Sequence, residues 1–467
     1  MNNTDALREE NTLKLLFTYS LPMIIGLFVG ASYNIIDRAF IGHGVGDIGI
    51  AGIAISFPVM MMGIMAFANL IGTGATALTS IRLGENNNNE AERVMGNALT
   101  LLILVSVGFI VLFWIFLDPI LAAFGANEEI LPHAVDYTRI ILLASIFMIV
   151  GSGMNNFIRA DGNPKKSMFT LLIGSILNVI LAPIFIFGFD WGMKGAGLAT
   201  GISQLISFIW VMSHFFTGKS VLKIGLKNMR LSGHLVGRIF ALGGGSFITQ
   251  MATSVMMIVM NNVMLNHGGS TAIAGMNVVN AVQTFIMLPI WGISLGIQPI
   301  IGYNFGAGNY KRVKSILVSA MVLSTVIAVV ASLFIYFIPG SLVAIFNQNE
   351  ELIQFGSHAM VIFLFFTPLL GLQIVGAGFF QALGKAKQSI FLSLIRQVLI
   401  LIPLMLILPP FLGLKGVLIS GPISDFCSAA ISVTFVVFSL KQMQKEMIQE
   451  QDPGSRTKSA DFHESNT

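Results

Sequence analysis

Charge is what this sequence has least of. Only 10% of its 467 residues are Asp, Glu, Lys or Arg, where an ordinary soluble domain carries roughly a quarter. So few charges cannot cover the surface of a soluble fold of this length, which excludes a water-soluble globule and leaves the membrane class. The net charge of +4 is too weak to point to nucleic acid. Cysteine is reduced to one residue, Cys427. That rules out an internal disulfide framework and a cysteine-built metal site, and the residue reads as a small buried hydrophobe. A nucleotide-binding loop, a zinc motif and a nucleophile-and-base arrangement are missing too. The chain therefore reads as neither an enzyme nor a cofactor carrier. His43, His133 and His267 fall near connections between apolar runs and read as solvated, not metal-bound.

Apolar residues make up 55% of the chain. A membrane-spanning helix needs roughly 20 of them in succession, because only a helix or a closed barrel satisfies its own backbone in lipid. Such runs fall near 13–41, 49–80, 93–117, 134–158, 167–189, 193–217, 236–265, 271–303, 312–338, 352–380, 389–410 and 414–440. The expected fold is all-α, a polytopic membrane protein of twelve transmembrane helices. With the N-terminus inside, Lys and Arg cluster on alternate connections: Arg82 and Arg93, Lys165 and Lys166, the stretch Lys219 to Arg238, Lys311 to Lys314, Lys385 and Lys387. Only Arg38, Arg139, Lys194 and Lys415 fall on the other side. By the positive-inside rule both termini are cytoplasmic, and the protein is a multi-pass component of the cell membrane. Asp5, Glu9 and Glu10 argue against a cleavable signal, and the polar stretch past Lys441 reads as a disordered tail.

The two halves are alike. Ala160, Gly162, Lys165 and Ser167 match Ala382, Gly384, Lys387 and Ser389 at a shift of 222; Gly74 and Gly84 match Gly296 and Gly306 at the same shift. An even number of spans separates the mates, so the halves insert the same way up as a parallel repeat. The expected organisation is a cytoplasmic segment 1–12, a six-helix lobe 13–217, a basic linker 218–235, a second six-helix lobe 236–440 and a polar tail 441–467. Two such lobes imply alternating access about a site between them, and prolines inside spans, such as Pro22, can serve as hinges.

Tyr33-Asn34-Ile35-Ile36-Asp37-Arg38-Ala39-Phe40-Ile41-Gly42, followed by Ala51-Gly52, resembles the first-span signature of the multidrug and toxic compound extrusion (MATE) family. The stretch Leu288-Pro289 to Gly302-Tyr303-Asn304-Phe305-Gly306 resembles that family's eighth-span signature. The likeness covers nearly all of 13–440 and is nearest the bacterial branch with its coupling site in the N-terminal lobe. It implies a two-lobed antiporter that exports amphipathic or cationic drugs and is driven by inward flow of H+ or Na+.

Asp37, Asp425, Asp136 and Asp190 are acids within or at the ends of spans, and an ionisable group inside lipid is a functional hypothesis by default. Asp37 and Asn34 are three residues apart and share a helix face. The resemblance adds Asn178, Thr200 and either Asn155 or Asn156 as polar groups around the Asp37 carboxylate. It also marks a departure: where the family often has a second aspartate, this chain has Ala182. One carboxylate instead of two favours proton over sodium coupling, since hard cations prefer several anionic oxygens. Tyr33, Met60, Met61, Met62, Met256, Met257, Met287 and Gln283 are candidates for an adaptable substrate cavity, Met because it fills irregular gaps and aromatics because they bind cations. The expected partners are small amphipathic or cationic molecules, the coupling ion and the bilayer, with the chain working as a monomer. A lipid-linked saccharide flippase of the same two-lobe fold is the alternative, but it asks for a strongly cationic lumen.

Overall fold

The computed structural model describes residues 5–218, 220–346 and 348–451, and every regular element among them is helical. After a short helix, Asp5–Glu9, come α1 (Thr12–Gly44), α2 (47–84, with a π-helical stretch Met60–Met65), α3 (Asn88–Ala123), α4 (Leu131–Ala160), α5 (Pro164–Gly188) and α6 (Gly192–Phe216). Gly233–Gly306 then runs 74 residues without a gap. At 1.5 Å per residue that is about 110 Å, several times a ~30 Å hydrocarbon core. Gly269 divides it, with φ +68° and ψ −162°, into α7 (233–268) and α8 (270–306). The second half continues with α9 (Tyr310–Phe337), α10 (350–382), α11 (Ala386–Leu412, π-helical over Ile395–Leu401) and α12 (Leu414–Gln451). In α10 the pieces Glu350–Phe363 and Thr367–Ala382 meet at 53°. Twelve spans result among the described residues, close to the bounds read from the apolar runs. Helix α12 persists ten residues past Lys441, and the remainder of the polar tail lies outside the described residues.

The repeat is visible in backbone geometry. Helices α2, α4, α8 and α10 end alike, with a left-handed residue followed by a neighbour whose N–H returns to a carbonyl five residues back. The left-handed residues are Asn86, Gly162, Gly308 and Gly384. The returning bonds are Asn87 to Arg82 (2.9 Å), Asn163 to Ile158 (3.0 Å), Asn309 to Asn304 (2.8 Å) and Lys385 to Phe380 (2.9 Å). Asn87 and Asn309 also cap the next helix with their side chains, accepting from Glu90 and Arg312.

Helices α1–α6 and α7–α12 form two lobes that meet at the end of the bundle where the termini lie. There α2 runs against α7 and α8 so closely that backbone touches backbone. A Cβ on Gly243 would fall 1.6 Å from the Leu70 carbonyl oxygen, one on Gly84 1.9 Å from that of Tyr303, and one on Gly306 2.1 Å from that of Ile81. Small residues permit this approach, and dispersion rewards it where lipid removes any hydrophobic drive. Gln381 of α10 adds a polar stitch, donating to Thr73 of α2 (3.0 Å) and to the Leu242 carbonyl of α7 (3.0 Å). One apolar core, including Leu78, Leu83, Ile239, Ile297 and Phe379, runs through both lobes at this end. A second core, with Met260, Met276, Phe363 and Met405, belongs to the C-terminal lobe alone. The lobes are thus joined at one end and part towards the other.

The linker is not a loose tether. From Val221 to Ser232 it lies as a strap along the end of α4 and the start of α3. Asn97 donates to the carbonyls of Asn228 (3.1 Å) and Arg230 (3.2 Å) and accepts from the Ser232 N–H (2.8 Å). Thr100 donates to the Met229 carbonyl (2.8 Å), Glu92 accepts from the Lys223 N–H (3.1 Å), and Asp161 accepts from the Val221 N–H (2.9 Å). Asp161 is itself buried against His214 of α6 at 2.6 Å.

Candidate functional site

Helices α5 and α6 carry facing stripes of small and polar residues: Ser167, Thr170, Gly174, Asn178 and Ala182 on one, Thr200, Ser203, Ser207 and His214 on the other. The spacing of three and four residues keeps each stripe on one helical face, while Ile176, Ile180 and Ile209 point outward towards lipid. Inside the lobe these stripes hold polar groups that would be costly anywhere else in the span.

Asp37 enters this interior from α1. It is 8% exposed, and its Oδ1 has no hydrogen-bond partner. Among the described residues no cation lies within ion-pair distance of it. Arg38 turns away and lies over the Phe57 ring, 5.4 Å from its centroid. Neighbouring helical residues diverge by about 100°, which is why adjacency in sequence makes no pair here.

Opposite Asp37, Asn178 donates from Nδ2 to the Thr200 hydroxyl at 2.9 Å, leaving its own Oδ1 without a donor. Tyr137 of α4 is buried beside Thr200, within electrostatic range of Asp37 and of Tyr33. Four helices therefore converge on one polar cluster: Asp37, Tyr137, Asn178 and Thr200. Two of its oxygens accept nothing, an arrangement that suits a proton or one small cation. Ala182 is fully buried at the next turn of α5, so no second carboxylate joins them. Tyr137 is the member that the sequence reading missed. The available signal was scarcity, since only six tyrosines exist and a phenol inside a span needs a partner.

Other expected members lie elsewhere. Asn34 shares Asp37's half of α1 but is exposed, and its amide is used on the Gly30 carbonyl at 2.7 Å. Asn155 and Asn156 sit near the terminus-bearing end of α4 and are not brought to Asp37. Asn155 donates to the Ser167 carbonyl, and Asn156 bonds the Arg159 guanidinium. Nineteen residues separate Asn156 from Tyr137 on one helix, about 28 Å at 1.5 Å each.

Of the proposed cavity residues, Tyr33 borders a 280 Å³ groove between α1 and α5 with Ser32, Ile36, Ser175 and Ile180. Met256 and Met287 pack into the core of the C-terminal lobe instead of lining an open surface, because their helix face is turned to α9–α12; Met257, one residue on, is exposed. Gln283 is half-buried, with its amide nitrogen unpartnered. The side chains of Met60, Met61 and Met62 lie outside the described residues. Asp136 and Asp190 border a 550 Å³ cavity at the far end of the N-terminal lobe together with His133 and Lys194, and Lys194 pairs with Asp136 at 3.6 Å.

Comparison with known proteins adds an independent line. The MatE family model matches residues 22–184 and again 246–407, so one pattern recurs in each lobe. The multidrug export protein MepA of Staphylococcus aureus (strain MSSA476) is 28% identical over 428 residues, 92% of this chain and 94% of that protein. The structure of the MATE multidrug transporter DinF-BH is 38% identical, covers 91% of this chain and 95% of its own, and superposes with a TM-score of 0.84. An outward-facing MATE family transporter of the MOP superfamily shares the fold at TM-score 0.89 and 23% identity, over 95% of this chain and 99% of its own.

Proposed function

The chain belongs to the MATE family, and from that premise we propose that it is a proton-coupled exporter of amphipathic or cationic compounds, with Asp37 as the coupling carboxylate. The observation that carries this reading is Asp37 itself: a carboxyl group inside a membrane helix, buried, with one oxygen unpartnered and, among the described residues, no ion pair. A structural carboxylate would be neutralised by a cation or saturated with donors. One left open in a polar cluster is positioned to gain and lose an ion. Ala182 supports the proton over sodium, because a single carboxylate with an amide and two hydroxyls is a poor cage for a hard metal cation.

In this reading both termini are cytoplasmic, the α2–α7–α8 seam is the closed inner gate, and the lobes part towards the outside. A proton arriving from outside neutralises Asp37. The loss of charge changes what Asn178, Thr200 and Tyr137 can donate to and accept, and α1 resettles about Pro22. The ion shifts the inward–outward balance only by its differential affinity for the two states. Interior cations are too few for the flippase alternative: Arg396 is held by Asp425, and Arg159 lies at the inner end of α4. The test is efflux of rhodamine 6G, an amphipathic cationic dye, from proteoliposomes under separately imposed gradients. Transport driven by a proton gradient in sodium-free buffer is the expected result. Transport that follows sodium alone at fixed pH would overturn the assignment of the ion.

A further inference from the structure

The C-terminal lobe has an ionisable pair at its centre. Arg396 lies ten residues into α11 and Asp425 eleven into α12, each about 15 Å from a helix end at 1.5 Å per residue. The Arg396 Nε donates to Asp425 Oδ1 at 2.7 Å, and Asp425 is 1% exposed. Its second oxygen, Oδ2, has no partner. Thr367, fully buried where α10 resumes after its bend, also has an unpartnered hydroxyl. Helices α10 and α12 run side by side in the same direction, with Phe363 against Gly421 and Ser432 donating to the Leu372 carbonyl. That places Thr367 at the depth of Asp425.

Three further features separate this pair from a plain brace. Arg396 stands in the π-helical turn Ile395–Leu401, and such turns collect at functional sites. The turn leaves the Arg396 carbonyl free to accept from Ser424 at 2.7 Å. The next residue, Gln397, donates to Thr253 of α7 at 3.0 Å, so the pair is one residue from a helix of the lobe–lobe seam. A buried ion pair is costly unless every remaining valence is met, and here one carboxylate oxygen, and a hydroxyl at the same depth, are left without partners among the described residues. A proton on Oδ2 would meet that oxygen's open valence.

We propose that Asp425 is a second proton-binding site, in the C-terminal lobe, and that Arg396 is its internal competitor. When α11 shifts against α12, the guanidinium leaves Oδ1 and becomes hydrated; its side chain already keeps 16% exposure. A proton from water then forms an O–H bond on the carboxylate. On return the proton passes back to water and the ion pair re-forms, so charge balances in both directions. At this depth, among the described residues, Arg396 is the only charged group presented to Asp425 by α7, α8, α9, α10 or α11. The other Lys, Arg, His and acidic residues of those helices stand within three turns of an end, such as His267, His358 and Lys387. Cys427 on α12 is the nearest titratable group on its own helix.

The proposal takes the identity of the ion from the proton-coupled reading, but its site is separate. The test counts protons released when rhodamine 6G binds the purified full-length protein in lightly buffered detergent. Proton–substrate linkage predicts about two protons per rhodamine for the native protein and about one for Asp37→Asn. It also predicts about one for the charge-balanced double variant Arg396→Gln/Asp425→Asn, while Asp425→Glu, which keeps the acid, retains the native count. A double variant that folds, binds and releases as many protons as the native protein overturns the proposal and leaves Asp37 standing. A drop in the double variant with none in Asp37→Asn supports the proposal and removes Asp37.

Discussion

The two lobe interiors share a scaffold and differ in how they handle one carboxylate. In the N-terminal lobe the Asp37 carboxylate lies within electrostatic range of Tyr137, in the same interior as the bonded Asn178–Thr200 pair, and among the described residues has an unpartnered Oδ1 and no cation within pairing distance. Near this depth the repeat runs at a shift of 223, Ile50-Ala51-Gly52 matching Ile273-Ala274-Gly275, so the C-terminal mate of Asp37 is Met260, packed into apolar core; the acid stands instead on α12, clasped by Arg396. An open carboxylate answers directly to the ion concentration around it. A clasped one answers first to its partner, so any ion it takes up must wait for a helix to move. Duplication of the backbone therefore did not duplicate the electrostatics, and under the proposed roles of Asp37 and Asp425 each lobe would respond at a different threshold.

The strongest way to break this comparison is to neutralise the open acid. Asp37→Asn keeps the shape and removes titration; gradient-driven efflux should be abolished, as expected where a rare intramembrane carboxylate carries function. Binding of rhodamine 6G, measured by fluorescence anisotropy, should survive. Normal efflux by well-expressed variant protein across a range of external pH would sink the assignment.

Next comes the seam. Gly243→Leu puts a side chain where the Leu70 carbonyl stands, and overpacking of this kind costs about 1–3 kcal/mol or more. The variant should hold the inner end open. Spin labels on cysteines at Lys165 and Lys387, in a background with Cys427 replaced, should report a longer distance than in the native seam. An unchanged distance would mean that the lobes do not close there.

Smaller effects refine the cluster. Thr200→Val leaves the Asn178 amide short of its partner, a loss of about 1–3 kcal/mol, and should weaken the apparent affinity for the coupling ion several-fold or more in efflux titrations. Ala182→Asp adds the second carboxylate and should raise sodium dependence; a flat sodium titration would place that position away from the ion. Arg38→Ala should change efflux least, by less than about threefold, because an exposed charge with no ion pair contributes little. A large loss there would restore the simple ion-pair view of Asp37.

Much of this was legible from sequence because lipid imposes strong rules. Span number followed from apolar run length, and the parallel repeat from glycines that proved to be left-handed turns or backbone contacts. Asp37, Asn178 and Thr200 were legible through rarity and resemblance, and the structure brings Asn178 and Thr200 into contact. What stayed hidden depends on rotation and depth. Asn155 and Asn156 are polar residues in the right helix but at the wrong level. Tyr137 is apolar enough to pass as core. Asp425 was visible as an isolated charge, yet its partner Arg396 lies 29 positions away on the preceding helix, and no periodicity announces such a partner. Met256 and Met257 show how a step of one residue, about 100° of helix, moves a side chain from core to surface.

The strap has a mechanical consequence. A covalent connection between two moving bodies usually provides slack, and its length then sets how far they can travel. Here the connection is spent against the N-terminal lobe, fastened to Asp161 at Val221 and to α3 at Lys223, Asn228, Met229, Arg230 and Ser232. Its last fastening is the residue immediately before α7 begins at Gly233. Between the last fastening and the first residue of α7 no spare chain remains. Under the proposed alternating access, the second lobe's travel would therefore be set by an angle at this joint and by the seam, not by the length of the linker.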